Sequence, residues 1–260
     1  MSTVRTRLPD PQRLLAISAR GAWDPEAIDL TADRAAWPGL PEDVRRRTLG
    51  LLAGFLVGER AVAEHLAPFA PVADDPGLTE VLRAQAREEQ RHARALERLW
   101  SALAAPAQDP RPLLDPAFVA LFEQRLPAVA ATLDAAGLGA AVALYHGLLE
   151  GVVFVAGQHA LVDLAAEHGL EGVRESFERI QRDERWHVSL GMRILVDRAD
   201  GAALARRLAG EAPAAVAAWG DLVEPSLRAD VLRALERRLR TVGLGERPGD
   251  ARAAGPGSEA

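Results

Sequence analysis

The chain is predicted to be all-α, a helix bundle built round a two-metal carboxylate site with further helices at its edge. Three observations predict it. Apolar residues recur at three- and four-residue steps along most of the 260 positions, and no stretch alternates long enough for a sheet. Ala, Leu, Arg and Glu dominate while aromatics are only 5%, a composition that favours helices. Two Glu-x-x-His tetrads, Glu89-Gln90-Arg91-His92 and Glu184-Arg185-Trp186-His187, fall in the middle of such periodic segments, the ligand pattern of two-metal carboxylate bundles.

Taken in chain order, residues 1–40 read as an irregular leader with short turns that packs across the bundle, in which Asp24 caps a brief helix and Pro25 takes its first position. A first long helix is expected from about Pro41 to His65, where Leu52, Phe55, Leu56, Glu59, Val62, Ala63 and Leu66 share a stripe. A second follows Asp75-Pro76 over about 76–104, with Leu78, Leu82, Glu89, His92, Leu96, Leu99 and Leu103 on one face. The third, about 116–135, opens at Asp115-Pro116, and Pro127 should kink or divide it by removing a backbone donor. The fourth, about 138–168, is apolar nearly all round and has Glu150 at its middle, as a central buried helix would. A fifth, about 170–197, aligns Val173, Phe177, Ile180, Glu184, His187, Gly191 and Ile194. Two amphipathic helices, about 201–220 and 226–242, complete a single domain over 1–243, and a Gly-, Pro- and Ala-rich tail over 244–260 is expected to be disordered.

Several function classes are excluded or disfavoured by composition. A net charge of −6 argues against a nucleic-acid or anionic-membrane surface. All positive side chains are Arg, and the run Arg45-Arg46-Arg47 reads as a solvated helix face. Cysteine is absent, which removes disulfides, thiolate ligands and thiol nucleophiles. No N-terminal apolar segment resembles a signal peptide and the longest apolar runs are interrupted before spanning length, so a cytoplasmic protein without a membrane span is expected.

The chemistry lies in the acids. Glu59, Glu89, Glu150 and Glu184 each stand where the helix period calls for an apolar residue, and buried Glu needs a partner. Four carboxylates in one bundle would repel one another and cost several kcal/mol each in desolvation. Arg60, Arg91 and Arg185 neighbour the tetrads in sequence and so point about 100° away from the stripe. Two divalent cations cancel the charge instead. Glu59 precedes Glu89-x-x-His92 by 30 residues and Glu150 precedes Glu184-x-x-His187 by 34, a two-fold internal repeat. The expected ligands are therefore Glu59, Glu89, His92, Glu150, Glu184 and His187, an oxygen-rich set that suits iron or manganese better than structural zinc.

Glu88 and Asp183 directly precede the tetrads, where they read equally well as acceptors for the outer N–H of a ligand His or as surface charges. His65, His159 and His168 read as structural or exposed, and His146, one turn before Glu150, is the histidine to watch. Tyr145, the single tyrosine, stands five residues before Glu150. Five residues turn an ideal α-helix by about 140°, so Tyr145 reaches the metals only if the helix is locally distorted, for example by a π-bulge.

Over about residues 20–200 the chain resembles the ligand-binding oxidases related to the radical-generating small subunit of ribonucleotide reductase, in the ferritin-like superfamily. The residues that carry the resemblance are 22–30 (AWDPEAIDL), Gly58-Glu59-Arg60-Ala61-Val62, Glu88 to His92, Tyr145 to Glu150, and Arg182 to His187. The resemblance implies a ferritin-like bundle with a manganese–iron cofactor, or two irons, held by the six ligands. It also implies a long-chain fatty acid or similar lipid bound at the metals, dioxygen as oxidant, a homodimer, and an ether cross-link between Val62 and Tyr145. Other readings are a soluble acyl desaturase or hydroxylase, whose acidic-Glu-x-Arg-His signature Glu88 to His92 satisfies, and iron storage in a many-subunit shell. A ribonucleotide reductase radical subunit is a further one, but Leu96 stands four after His92, where that family usually carries its radical tyrosine.

Overall fold

A computed structural model of the chain describes residues 8–105 and 107–245. Among them there are helices and no strands. Short helices come first: α1 (Pro11–Gly21), a 3-10 turn at Pro25–Ala27 and α2 (Thr31–Ala36). The bundle proper contains α3 (Glu42–His65), α4 (Pro76–Leu103), the helix Leu138–Glu167 and α9 (Glu171–Asp197). Between α4 and the third of these lie α5 (Pro116–Ala120) and α6 (Leu126–Ala131), and α10 (Gly201–Ala217) and α11 (Pro225–Thr241) follow α9.

The same local device starts several helices. Asp10, Asp24, Asp75 and Asp115 each precede a proline and accept a hydrogen bond from a backbone N–H of the first turn. The acid satisfies an otherwise orphaned donor, and Pro occupies a position whose N–H has no helical partner.

The leader packs across the bundle as expected, but it is helical over Pro11–Gly21 where an irregular segment was expected. Its α1 packs against both α4 and α9, and Leu14 and Trp23 are buried. One turn of apolar side chains (Leu14, Leu15, Ile17) is too short to register as a period, yet it is enough to bury once two long helices supply a groove. The segment from Pro116 ends a few residues early, at Ala131, and is divided as expected, with Pro127 in the first turn of its last piece. Wide π-turns at Leu121–Arg125 run directly into Leu126, so Pro127 falls at a helix start where its missing N–H costs little. The end of the chain, 246–260, where a disordered tail was expected, lies outside the described residues.

The central apolar helix has three parts: α7 (Leu138–Val142), a π-helical stretch Ala143–Phe154 and α8 (Val155–Glu167). By length and composition it could cross a membrane, but it is buried within the bundle and carries Glu150. It packs on α9, α10 and α11, while α8 also meets α3. The pairs α3–α4 and α8–α9 thus face each other, with α4 also against α9. Close approach is bought with glycine: a Cβ on Gly54 or Gly157 would lie 2.4 or 2.3 Å from the Trp219 ring, and one on Gly58 2.6 Å from Phe154.

Candidate metal centre

The four bundle helices bring all six expected ligands to one place. Glu59, Glu89, His92, Glu150, Glu184 and His187 are each at most 3% exposed. They form two overlapping groups, Glu59–Glu89–His92–Glu184 and Glu89–Glu150–Glu184–His187, in each of which one candidate ligand atom per residue lies within 4.8 Å of the others. Glu89 and Glu184 belong to both groups, Glu59 and Glu150 to one each.

Both imidazoles turn Nδ1 inward. His92 Nδ1 lies 3.2 Å from Glu89, 3.5 Å from Glu184 and 3.8 Å from Glu59. His187 Nδ1 lies 2.9 Å from Glu89, 3.3 Å from Glu150 and 3.4 Å from Glu184. Their outer nitrogens are held by the acids that precede the tetrads, and the pairing is crossed. Asp183 on α9 meets His92 Nε2 on α4 at 3.2 Å, and Glu88 on α4 meets His187 Nε2 on α9 at 3.1 Å. Of the two readings open for Glu88 and Asp183, burial and these contacts select the imidazole partner over the surface charge.

Each outer acid is itself fixed. Asp183 accepts from Trp23 Nε1 at 2.8 Å and Arg91 Nη2 at 2.9 Å, and Glu88 accepts from Trp186 Nε1 at 3.0 Å and from Ser18. Arg60 and Arg185 are exposed, as expected. Arg91 is largely buried, but its guanidinium serves Asp183 and Glu88 and not the inner carboxylates.

The inner cluster is short of hydrogen-bond partners. Of twelve buried side-chain atoms without a hydrogen-bond partner among the described residues, eight belong to these six residues, including both oxygens of Glu59 and of Glu184 and Nδ1 of both histidines. Unpaired buried polar atoms are rare and costly, and here they converge. The chemistry of the set, four carboxylates and two imidazole nitrogens aimed at one volume, fits two divalent cations.

The electrostatics without cations bear the strain. Burial, with Glu89 and Glu184 adding repulsion, holds the Glu59 carboxyl well above the usual range despite His92. Burial and Glu184 do the same to Glu150. Burial also pushes Glu89 up, but His187 and His92 outweigh it and hold this carboxyl well down. Burial pulls both imidazoles down, and the surrounding carboxylates override it, raising His92 and His187 well above an ordinary histidine.

Tyr145 and His146 sit beside the cluster. The phenol donates to Glu89 Oε1 at 2.8 Å. In the π-helical stretch residues five apart lie nearly one turn apart, so Tyr145 joins Glu150 on the inner side, the distortion that an ideal α-helix would have needed. Burial, with Glu150 and Glu89 adding to it, raises the phenol well above its usual range, so it remains protonated. His146 is buried, yet it lies outside both ligand groups, and burial lowers it to about 3.

Gln85 was not singled out by sequence. Its Nε2 faces Glu150 at 3.0 Å, Tyr145 at 3.1 Å and Glu89 at 3.4 Å, while its Oε1 meets His146 Nε2 at 2.9 Å. The available signal was a polar residue one turn before Glu89 on the same stripe. Val62, one turn after Glu59, is fully buried on α3.

Residues 16–198 match the family model described as ribonucleotide reductase, small chain. Among solved structures, the fold matches an R2-like ligand-binding oxidase with an aerobically reconstituted Mn/Fe cofactor at TM-score 0.80 and 21% identity, over 95% of this chain and 96% of that one. A mutant of R2-like ligand-binding oxidase with an anaerobically reconstituted Mn/Fe cofactor matches at TM-score 0.81 and 21% identity, over 91% and 94% of the two chains. With the family model spanning more than half of the sequence and a carboxylate–imidazole cluster at its centre, this chain belongs to the ribonucleotide reductase small-chain family.

Proposed function

We propose that the protein is an oxygen-activating oxidase of the R2-like kind, holding manganese and iron, or two irons, with Glu59, Glu89, His92, Glu150, Glu184 and His187 as ligands. The carrying observation is the convergence of eight unpartnered buried atoms on one volume. The fold's likeness to R2-like ligand-binding oxidases with a Mn/Fe cofactor supports the choice of metals. Bound there, the metal pair would supply the redox capacity to reduce dioxygen, which the side chains alone lack.

The chain's own residues set the conditions. Asp183 and Glu88 fix the imidazole orientations and keep Nδ1 inward. Phe55, Leu96 and Phe177, all fully buried, keep bulk water out. Leu96 also means that a tyrosyl radical at that position plays no part. Tyr145 holds its proton on an oxygen 2.8 Å from Glu89, and Gln85 pins that oxygen from the other side.

In this reading Val62 and Tyr145 form an ether cross-link. The Val62 Cβ–H and the Tyr145 O–H are lost, a Cβ–O bond forms, and the two electrons and two protons pass to dioxygen, which leaves as hydrogen peroxide, or as two waters if the reduced metal pair adds two more electrons and solvent two more protons. A lipid-like carboxylic acid is the external ligand, the cytoplasm the location and a homodimer the assembly. Aerobic reconstitution with both metals, followed by intact-mass analysis and peptide mapping, tests it. The expected product is lighter by two hydrogens (about 2 Da by stoichiometry), with Val62 joined to Tyr145. Metals bound and oxygen consumed with no mass change would favour desaturase-like turnover, and a light-scattering mass far above a dimer would favour storage.

A further inference from the structure

We propose that His146 is a positioning residue for Tyr145: as the Nε2–H tautomer it fixes which way the Gln85 amide faces, and through Gln85 it aims the phenolic hydrogen at Glu89. This role rests on the cross-link reading above for its chemical consequence, though the hydrogen bonds themselves need no metal.

His146 and Gln85 are both fully buried, one on the central helix and the other on α4. Three oxygens face the amide nitrogen of Gln85: Glu150 Oε1 at 3.0 Å, the Tyr145 hydroxyl at 3.1 Å and Glu89 Oε1 at 3.4 Å. A reversed amide would crowd a fourth oxygen among them, so only the nitrogen fits that end. The carbonyl oxygen of Gln85 must then face His146, whose Nε2 lies 2.9 Å away. A bare Nε2 would set its lone pair against those of the carbonyl, so Nε2 carries the hydrogen and donates it. Nδ1 has no hydrogen-bond partner, and a hydrogen placed on it would be wasted. Burial and the neighbouring His187 lower His146 to about 3, which leaves one hydrogen for the two ring nitrogens.

The donors therefore run one way, from His146 to Gln85, from Gln85 to Tyr145, and from Tyr145 to Glu89 at 2.8 Å. Because the phenolic oxygen already accepts from Gln85, its single hydrogen is left for Glu89. The packing is built round the imidazole. A Cβ on Gly191 would lie 2.2 Å from His146 Cβ, so α9 comes this close only because residue 191 has no side chain. Phe69 meets both rings edge-on, with centroids 5.8 Å from Tyr145 and 6.5 Å from His146. An apolar ring in place of His146 would fill the same space and direct nothing. What the histidine adds is the donor at Nε2.

Two isotope labels on the full metal-free chain read this geometry. Tyrosine labelled at Cζ gives a single carbon resonance, because Tyr145 is the one tyrosine in the chain, and nitrogen-labelled histidine distinguishes the tautomers in long-range correlation spectra. The Nε2–H form of His146 is expected to outweigh the Nδ1–H form at least about tenfold, the worth of one buried hydrogen bond. His146→Phe should move the Tyr145 resonance and, after aerobic reconstitution with both metals, slow cross-linking by about tenfold at unchanged metal content. His146→Gln places an N–H at the same number of bonds from Cβ and should return both readings most of the way to the parent. An Nδ1–H or doubly protonated His146, a Tyr145 resonance indifferent to His146→Phe, parental cross-linking in His146→Phe, or a folded His146→Gln chain that behaves like His146→Phe would each overturn it. The tautomer is read on the unsubstituted chain, so a variant that fails to fold does not shield it. If no cross-link forms in any of these proteins while tautomer and resonance behave as expected, the cross-link reading falls and the positioning of Tyr145 stands.

Discussion

Replacing Glu59 with leucine should strengthen the metal-free protein while disabling its metal site. Glu59 is fully buried on α3 and no donor reaches either of its oxygens. The one hydrogen bond open to it is a proton shared with Glu89, which requires a protonated carboxyl, in keeping with its raised pKa. A buried polar group without a partner costs about 1–3 kcal/mol, and an apolar replacement of similar shape recovers most of it. The expected gain for Glu59→Leu is therefore about 2 kcal/mol, which for a chain of this size raises the melting temperature by about 4–8 °C. Scanning calorimetry in the presence of a chelator measures it. The same variant lacks one member of the Glu59–Glu89–His92–Glu184 group, so metal analysis after reconstitution should fall from two ions per chain towards one. A metal-free Glu59→Leu protein that melts lower than the parent would refute the reasoning, because Glu59 would then be contributing to the fold without cations.

Three further outcomes are expected. Asp183→Asn removes the charge that His92, Trp23 and Arg91 share, and should weaken metal binding by about 10–100-fold in chelator competition, with little change in overall helicity. Gln85→Leu strands the His146 Nε2 and releases Tyr145, so urea unfolding should show a loss of about 1–3 kcal/mol and mapping should show less cross-linked peptide. The metal-free protein should lose stability as pH rises above the ordinary carboxylate range, because Glu59, Glu150, His92 and His187 all titrate higher when folded and their contribution is present only while they stay protonated; Glu89 and Asp183, shifted down, lose theirs only below that range, and a profile rising with pH above it would contradict the reasoning.

Much of the centre was legible before any coordinates. Glu59, Glu89, Glu150 and Glu184 announced themselves by standing on apolar stripes, because helical period alone decides which face a residue takes and burial of an acid demands compensation. The long helices were legible for the same reason, together with the Asp-Pro pairs that start several of them. The helix in the leader was not: α1 gains its stability from the groove between α4 and α9, and a groove is not a property of its own eleven residues. Gln85 was missed because glutamine on an apolar stripe carries no charge to mark it, and its importance comes from Tyr145, Glu150 and His146, all sixty or more positions away.

Sequence by itself determined an all-helical chain with six ligand-type side chains on the buried faces of four helices. Only the tertiary structure decided that Glu89 and Glu184 belong to both halves of the cluster, that Asp183 serves the histidine of α4 while Glu88 serves that of α9, and that a π-helical stretch turns Tyr145 inward. The physical reason is that periodicity assigns a side chain to a face within one helix. Which atoms meet across helices depends on axial register, crossing and local winding, and these are settled by the packing of the whole core.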